Sequence, residues 1–198
     1  MVIDLNPAPP RTCAPGWCAF QCGLDSPVLS QGIALRSAPR LWLDGRLVAT
    51  HVGTVITGDD GQLVVAEALP QGYALTPLAE WLDPGERHHA RWFRRPRGLT
   101  LEAAEFISHL ANLWAGCTGY DYRALAGFLL ESDRRLAAGL RNRGENPDRL
   151  FCSEAASRLM QLADGVFSPH LPPSFMAAHA SSITPHSLDA WPELWDPA

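Results

Sequence analysis

The sequence predicts an α+β protein in which an antiparallel sheet packs against helices. β-branched and alternating patterns occupy the chain up to Gly98, and amphipathic helical patterns follow it. A hydrophobic content of 46% over 198 residues is enough for one buried core, so we expect a single domain over 1–198. Within it we expect a flexible N-terminus over 1–15 and a Pro-rich C-terminal extension over 166–198 that packs on the domain.

The charge composition argues against several functions. With 16 basic and 21 acidic residues the net charge is −5, which argues against a nucleic-acid partner. All the basic residues are arginine, and this excludes a lysine base, a Schiff base and a phosphate-loop lysine. Only the stretch 86–98 is locally basic and forms a candidate anion-facing patch, with Arg87, Arg91, Arg94, Arg95 and Arg97.

Cysteine usage and hydropathy predict a location in the cytoplasm. Met1 to Gly16 lacks the apolar run of a secretory signal, and no stretch is long and apolar enough for a membrane span. An odd set of five cysteines is more typical of a reducing compartment than of a disulfide framework. They are Cys13, Cys18, Cys22, Cys117 and Cys152.

Strand patterns dominate the first half of the chain. The segments Arg46–Thr57 and Gln62–Leu69 are rich in β-branched residues and flank the turn sequence GDDG, which predicts a hairpin. We also expect strands or extended pieces at Trp17–Cys22, Gly72–Trp81 and His89–Phe93, and a brief helix over Pro27–Ser37.

Helical patterns follow Gly98. Thr100 is a suitable N-cap for a helix that ends near Gly116, and Asp121 can cap a second helix carrying Leu125, Phe128 and Leu129. Ser132–Arg149 is polar and predicts a loop or frayed helix. A third helix begins near Cys152 and ends at Asp164-Gly165. Beyond it, Ser168–Ala198 predicts extended surface packing, pinned by Trp191 and Trp195.

Cys152 is a candidate nucleophile because it begins an amphipathic helix, in LFCSEAASRLM. Unpaired backbone N–H groups and the helix dipole stabilise an anion there, and the thiolate is the reactive form of cysteine. The alternative interpretation is that Cys152 is a small buried apolar residue.

His51 and Glu67 are candidates for a base and its orienting carboxylate. A three-residue hairpin loop, Asp59-Asp60-Gly61 with Gly61 left-handed, places Glu67 diagonally next to His51 on one sheet face. A four-residue loop sends Glu67 to the opposite face, and sequence alone leaves this choice open. His51 can also be a core histidine that serves structure alone.

Four strings occur in an order that resembles a known family. THVGTVI, VVAEAL, GYDYRALAGF and FCSEAASRL follow one another between Gly16 and about Ala163. The series, with histidine and glutamate before cysteine, resembles the circularly permuted NlpC-type papain-like cysteine hydrolases of the YiiX and YebB-like group. The resemblance implies a papain-like fold with Cys152 as nucleophile at a helix N-terminus, His51 as base and Glu67 as third member.

The resemblance also implies that Tyr120, in a Tyr-Asp pair, lines the substrate site. Where the family often has Gly-Asp at its first strand, this chain has Gly16-Trp17, which leaves that substrate contact in question. The implied activity is hydrolysis of an amide or acyl ester through a thioacyl intermediate, without cofactor or metal, or acyl transfer by the same route. The expected substrates are a small peptide, a peptidoglycan fragment or an acyl compound, in a bacterial or phage setting.

Two further interpretations remain open at this stage. A non-catalytic binding module on the same fold could use the run from Arg87 to Arg97 to contact an acidic partner. Cys13, Cys18 and Cys22 could supply three zinc ligands, but the usual Cys-x-x-Cys pair is missing. Sequence determines neither the substrate nor the oligomeric state.

Overall fold

The computed structural model describes residues 13–23, 28–43, 45, 47–83, 89–120, 149–167 and 170–197. Within these residues an antiparallel sheet of five strands has the order β4-β3-β2-β1-β5. Helices pack on this sheet, so the α+β class is confirmed. The strands are β1 Cys18–Gly23, β2 His51–Thr57, β3 Leu63–Leu69, β4 Gly72–Pro77 and β5 His89–Arg94.

The longer described helices follow the sheet in the chain. They are α4 Leu101–Trp114 and α5 Cys152–Phe167, preceded by α1 Val28–Ser37, α2 Pro39–Leu43 and α3 Leu78–Leu82. The C-terminal part has α6 Pro173–Met176, a 3-10 turn Ala180–Ser182 and α7 Pro185–Asp189. A small parallel pair, β6 Gly119–Tyr120 with β7 Arg149–Leu150, lies just before α5.

The β2–β3 hairpin has the predicted three-residue loop. Gly58 N donates to Gln62 O at 2.8 Å, and Gly61 N donates to Gly58 O at 2.9 Å. Gly61 has a φ of 79°, the left-handed region that glycine adopts at little cost. Thr54 therefore pairs with Ala66, and the register predicted from a three-residue loop is confirmed.

Both faces of the sheet are covered. On one face Ile56 and Val64 pack with Ile107 of α4 and Leu159 of α5, so the hairpin lies against the helix that begins at Cys152, as predicted. Val55 and Val65 alternate with them and pack on the other face. Double-sided burial explains why the hairpin strands have continuous apolar runs rather than strict alternation.

The ends of α4 match the prediction. The Thr100 hydroxyl accepts a hydrogen bond from Ala103 N at 3.2 Å, which satisfies one of the free N–H groups at the helix start. The helix stops before Gly116, whose φ is 73°.

Several predicted boundaries are off by one residue, and three differ from the structure more substantially. β2 begins at His51 rather than at Arg46, and the extended piece predicted up to Trp81 is instead β4 followed by α3. α5 continues past Gly165 to Phe167, because Gly165 keeps helical geometry rather than a left-handed cap. Its neighbour Asp164 accepts hydrogen bonds from His170 N at 2.6 Å and Leu171 N at 2.9 Å, and so caps the following segment instead.

The C-terminal part does more than pack on the surface. Phe175, Leu188 and Leu194 are fully buried, and Trp195 is nearly so. They share a cluster with Phe20 and other residues of the main domain. The prediction of extended surface packing is wrong in this respect, because each short helix turns an apolar side into the core. Trp195 does pin the segment, as expected.

Some predicted features lie outside the described residues. These are the N-terminal stretch 1–12, the helix capped by Asp121 with Leu125, Phe128 and Leu129, and the polar stretch 132–148. Among the helices that the structure describes, none combines the length and the apolar character needed to cross a bilayer.

Candidate active site

His51 is held at the start of β2 by a fixed backbone. Thr50 N donates to Gln21 O on β1 at 2.9 Å, and the Thr50 hydroxyl donates to the same carbonyl at 3.3 Å. Gly23 N in turn donates to the Thr50 hydroxyl at 3.3 Å. These bonds and the pairing of His51 with Gln21 fix the strand from which the imidazole projects.

The Glu67 carboxylate binds the His51 imidazole. His51 Nε2 lies 2.7 Å from Glu67 Oε2, with the histidine side chain 20% exposed and the glutamate side chain 6% exposed. The other carboxylate oxygen, Oε1, accepts a hydrogen bond from the Thr76 hydroxyl at 2.8 Å. Glu67 is thus fixed at both oxygens, and it fixes the orientation of the imidazole in turn.

Gly53 allows β3 to approach β2 closely beside this pair. A Cβ at this position would lie 2.5 Å from Val65 Cγ1 and 3.2 Å from Glu67 Cβ. Since real Cβ atoms essentially never come within 3.0 Å of other heavy atoms, a side chain here would force the Val65 side chain or the β3 backbone to shift. The glycine of HVG therefore permits the close strand spacing next to His51 and Glu67.

Cys152 is the first residue of α5 and is 5% exposed. The first hydrogen bond of the helix runs from Ala155 N to Phe151 O at 2.9 Å, so the Cys152 amide lies ahead of the helical ladder. The thiol is thus at the positive end of the dipole of a 16-residue helix, where an anion is stabilised.

The pKa of His51 reflects its two partners. Burial on its own lowers this pKa, but the charge of Cys152 and a side-chain hydrogen bond with it, together with Glu67, raise the pKa of His51 to about 10. Since Nε2 faces Glu67, the Nδ1 side of the ring is the one left for Cys152. The raised pKa favours the imidazolium form of His51 beside the Glu67 carboxylate.

The pKa of Glu67 is lowered below its usual value. Burial raises it, but hydrogen bonds and charge from His51, and hydrogen bonds from Thr76 and Trp81, outweigh that effect. Trp81 is buried in α3, and the Arg91 guanidinium lies 5.3 Å from its ring centre. The charge of Arg91 also favours the ionised carboxylate at longer range.

The structure brings the three predicted catalytic residues together. His51 and Glu67 are joined by a hydrogen bond, and Cys152 lies close enough to His51 to raise the pKa of its imidazole. The backbone of Tyr120, the predicted substrate residue, pairs with that of Leu150. Because Leu150 lies two residues before Cys152, the Tyr120 backbone is close to the start of α5. Glu154 lies in the first turn of α5 and accepts a hydrogen bond from Arg158 at 2.7 Å, a structural ion pair.

Sequence analysis missed Thr76 and Trp81. Leu69 pairs with Gly72 across the two-residue turn Pro70-Gln71, which places Thr76 opposite Val65 and diagonal to Glu67. The two-residue turn was a signal that could have identified Thr76 as a neighbour of the carboxylate. Trp81 carried no such signal, because its position depends on how α3 folds back over the sheet.

The arginine-rich run binds the C-terminal segment of the same chain. Arg94 Nε donates to Asp189 Oδ1 at 2.5 Å, and the Trp92 indole donates to the same oxygen at 2.9 Å. Arg95 forms an ion pair with Asp196 at 3.3 Å, and Arg97 donates to the Trp195 carbonyl at 3.3 Å. These arginines therefore have partners within the chain, which leaves less of the candidate patch for an acidic partner.

The part of the chain that the structure describes contains no cluster of metal-ligating side chains. No three His, Cys, Asp or Glu side chains there are arranged to hold an ion. Cys18 and Cys22 are buried and Cys13 is half-buried, and all three are free thiols. Burial raises the pKa of each of these cysteines, which disfavours the thiolate that zinc requires.

Comparisons with protein-family models, curated proteins and solved structures found no match to this chain. The site is therefore interpreted from its own residues and geometry.

Proposed function

We propose that the chain is a cysteine hydrolase of the papain-like, circularly permuted NlpC type that cleaves an amide or acyl ester. The observation that carries the proposal is the imidazole of His51, which is bound to Glu67 through Nε2 and lies beside Cys152 at the start of α5. Nucleophile, base and orienting group are the three parts that acyl transfer through a thioester requires. Peptide amides, peptidoglycan fragments and acyl esters all offer the carbonyl that this set attacks.

Acylation uses the imidazolium as the acid. The Cys152 thiolate attacks the carbonyl carbon and forms a C–S bond, and the negative charge moves to the carbonyl oxygen. The Cys152 amide is positioned to donate to that oxygen. The tetrahedral intermediate then collapses, the bond from carbon to the leaving nitrogen or oxygen breaks, and the leaving group takes the proton from His51.

Deacylation uses the neutral imidazole as the base. His51 takes a proton from water, and the resulting hydroxide adds to the thioester carbonyl. The C–S bond breaks, the carboxylic acid leaves, and the thiolate is restored beside the imidazolium. Glu67 stays ionised throughout and stabilises the imidazolium. If an amine or alcohol takes the place of water, the same steps give acyl transfer.

Thiol reactivity is the sharpest test of the proposal. Cys117 is exposed, whereas Cys152 is buried, so accessibility alone predicts faster alkylation of Cys117. The proposal predicts that at pH 7 Cys152 is alkylated at least about tenfold faster than Cys117, because only a few per cent of an ordinary thiol is ionised at that pH. A limited reaction with iodoacetamide followed by peptide mapping measures the two rates. The His51→Ala variant should lose this advantage.

Turnover supplies the second half of the test. Cys152→Ala should abolish hydrolysis of any ester or amide that the wild type cleaves while the fold is retained, since alanine is well tolerated at a helix start. Cys117→Ala is the matched control and should leave turnover unchanged. Alkylation of Cys152 no faster than that of Cys117, with no turnover of any ester or amide by the wild type, would favour a binding module instead. Unaltered turnover in Cys152→Ala would end the assignment of Cys152 as nucleophile.

A further inference from the structure

A narrow slot lies directly beside the candidate nucleophile. Cys152 forms part of its lining, and apolar side chains form most of the remainder. Ile33 contributes from α1, Phe151 from the residue before α5, and Ile183 and Pro185 from the C-terminal segment. Because Cys152 itself lines the slot, a group attached to a carbonyl bonded to its sulfur lies within reach of these walls.

The hydroxyl groups at the slot are engaged within the C-terminal segment. The Ser181 hydroxyl lies 2.7 Å from His179 Nδ1, and the Ser182 hydroxyl donates to the His179 carbonyl at 2.7 Å. Thr184 Oγ1 accepts from Ser187 N at 3.0 Å and so caps α7. With these hydroxyls satisfied locally, the slot offers an occupant mainly apolar surface.

The width of the slot is fixed by a buried hydrogen bond. The hydroxyl of Ser153, which follows the nucleophile, donates to the Ile183 carbonyl at 2.6 Å, and Ser153 is fully buried. Ile183, Phe151 and Ile33 are each at most 5% exposed, so core packing holds the walls from behind. Opening the slot would break this bond and disturb the core.

The size of the slot limits its occupant. Its volume is about 10 Å³. A cavity of roughly 10 to 15 Å³ on this scale holds one water molecule, and a methyl group is of similar size. A methyl-sized apolar group therefore fits without movement of the walls, whereas a branched, aromatic or long-chain group does not.

From these observations we infer that the site selects acyl donors with a methyl-sized apolar group next to the reacting carbonyl. An acetyl ester carries its methyl group on the carbonyl carbon, and an alanyl residue on the acyl side of a peptide bond carries it one carbon further, as its side chain. Long acyl chains are excluded. The inference rests on the proposed function and refines it, since it selects among the substrate classes that the catalytic set leaves open. In a rigid apolar pocket, each surplus methylene changes kcat/KM by about 10- to 200-fold.

Two matched substrate series test the selectivity. One contains 4-nitrophenyl esters of N-acetyl-alanine, N-acetyl-leucine and N-acetyl-phenylalanine, and the other contains 4-nitrophenyl acetate and octanoate. We expect kcat/KM to be at least about tenfold higher for the alanyl and acetyl members than for the larger members of each series. The relative rates of the alanyl and acetyl esters show whether a peptidyl or a simple acyl donor is preferred.

Variants of the wall link the selectivity to the slot. Ile183→Val removes one methylene conservatively, and Ile33→Ala removes more. Both variants should narrow the difference in kcat/KM between the alanyl and leucyl esters, and Ile33→Ala should narrow it by at least about tenfold. Leu162→Ala is the control, because Leu162 is an exposed residue of α5 that does not line the slot. Leu162→Ala should keep the wild-type ratio of kcat/KM for the alanyl ester to kcat/KM for the leucyl ester.

Labelling with N-acetyl-alanine and N-acetyl-phenylalanine chloromethyl ketones separates the selectivity of the slot from the hydrolase proposal on which it rests. Equal Cys152-dependent turnover of all the esters would overturn the inference and leave the hydrolase proposal intact. Absence of Cys152-dependent turnover would end the hydrolase proposal. In that case the labelling of Cys152 would still test whether the slot selects a methyl-sized group. Preferential labelling by the alanyl ketone supports the slot, whereas equal labelling by both ketones overturns it.

Discussion

The imidazole of His51 and the carboxylate of Glu67 are joined across two neighbouring strands, with Nε2 and Oε2 2.7 Å apart. The residues are 16 positions apart in the sequence, and the hairpin register places them on one face of the sheet. A shift of the register by one residue would turn Glu67 to the other face. The contact is thus a direct consequence of the loop between the strands.

The two members of this pair should differ in their effect on catalysis. His51→Ala removes the group that transfers protons, and we expect kcat to fall by about 10²- to 10⁴-fold. Glu67→Gln keeps a hydrogen-bond acceptor but no longer stabilises the imidazolium, so the loss should be smaller. Glu80→Gln changes an exposed carboxylate on α3 and should have no effect. A native-like Glu67→Gln enzyme with the larger loss would contradict the orienting role.

The alkaline limit of activity should follow the pKa of His51. That pKa is raised to about 10, so the imidazolium that protonates the leaving group is present at neutral pH and is lost as the pH rises through about 10. We expect kcat/KM for an amide substrate to fall across this range. Because Glu67 is one of the groups that raise this pKa, the falling limb should move to lower pH in Glu67→Gln. A limb at the same pH in both enzymes would show that Glu67 does not act on His51.

Thr76 should act on catalysis through Glu67. Its hydroxyl donates to Oε1 at 2.8 Å and helps to lower the pKa of the carboxyl group, so Thr76→Val should raise that pKa. Leaving a buried acceptor without this donor should also reduce stability by about 1–3 kcal/mol. Thr76→Ser keeps the hydroxyl and is the control. The Glu67 pKa can be followed by carboxyl NMR, and equal titration of both variants would exclude this role.

The hairpin and its site residues were predictable because local rules determine them. Turn chemistry limited the GDDG loop to a few geometries, and one of these placed Glu67 next to His51. The helix start at Cys152 was predictable from its apolar periodicity, as was the capped start of α4 at Thr100. Each of these features is governed by neighbours within a few residues in the sequence.

The features that were missed depend on distant parts of the chain. Trp81 reaches Glu67 only because α3 folds over the sheet, and no local pattern encodes that contact. The buried C-terminal segment depends on Asp189, which binds Trp92 and Arg94 of β5 almost one hundred residues earlier in the sequence. Its many prolines were consistent with an exposed extension, but the short helices between them bury Phe175 and Leu188.

Gly61 is the glycine that sets the hairpin register. Gly61 has a φ of 79° with open space around it, so a side chain meets no steric clash and only backbone strain opposes Gly61→Ala. We expect a loss of about 1–2 kcal/mol in the free energy of unfolding in urea. Gly61→Asn should lose less, because asparagine tolerates the left-handed region. Gly165→Ala, also in open space but at helical φ near the end of α5, should instead gain up to about 1 kcal/mol. If Gly61→Ala and Gly165→Ala had the same free energy of unfolding, the left-handed turn would not be needed. The register that brings Glu67 to His51 would then require another explanation.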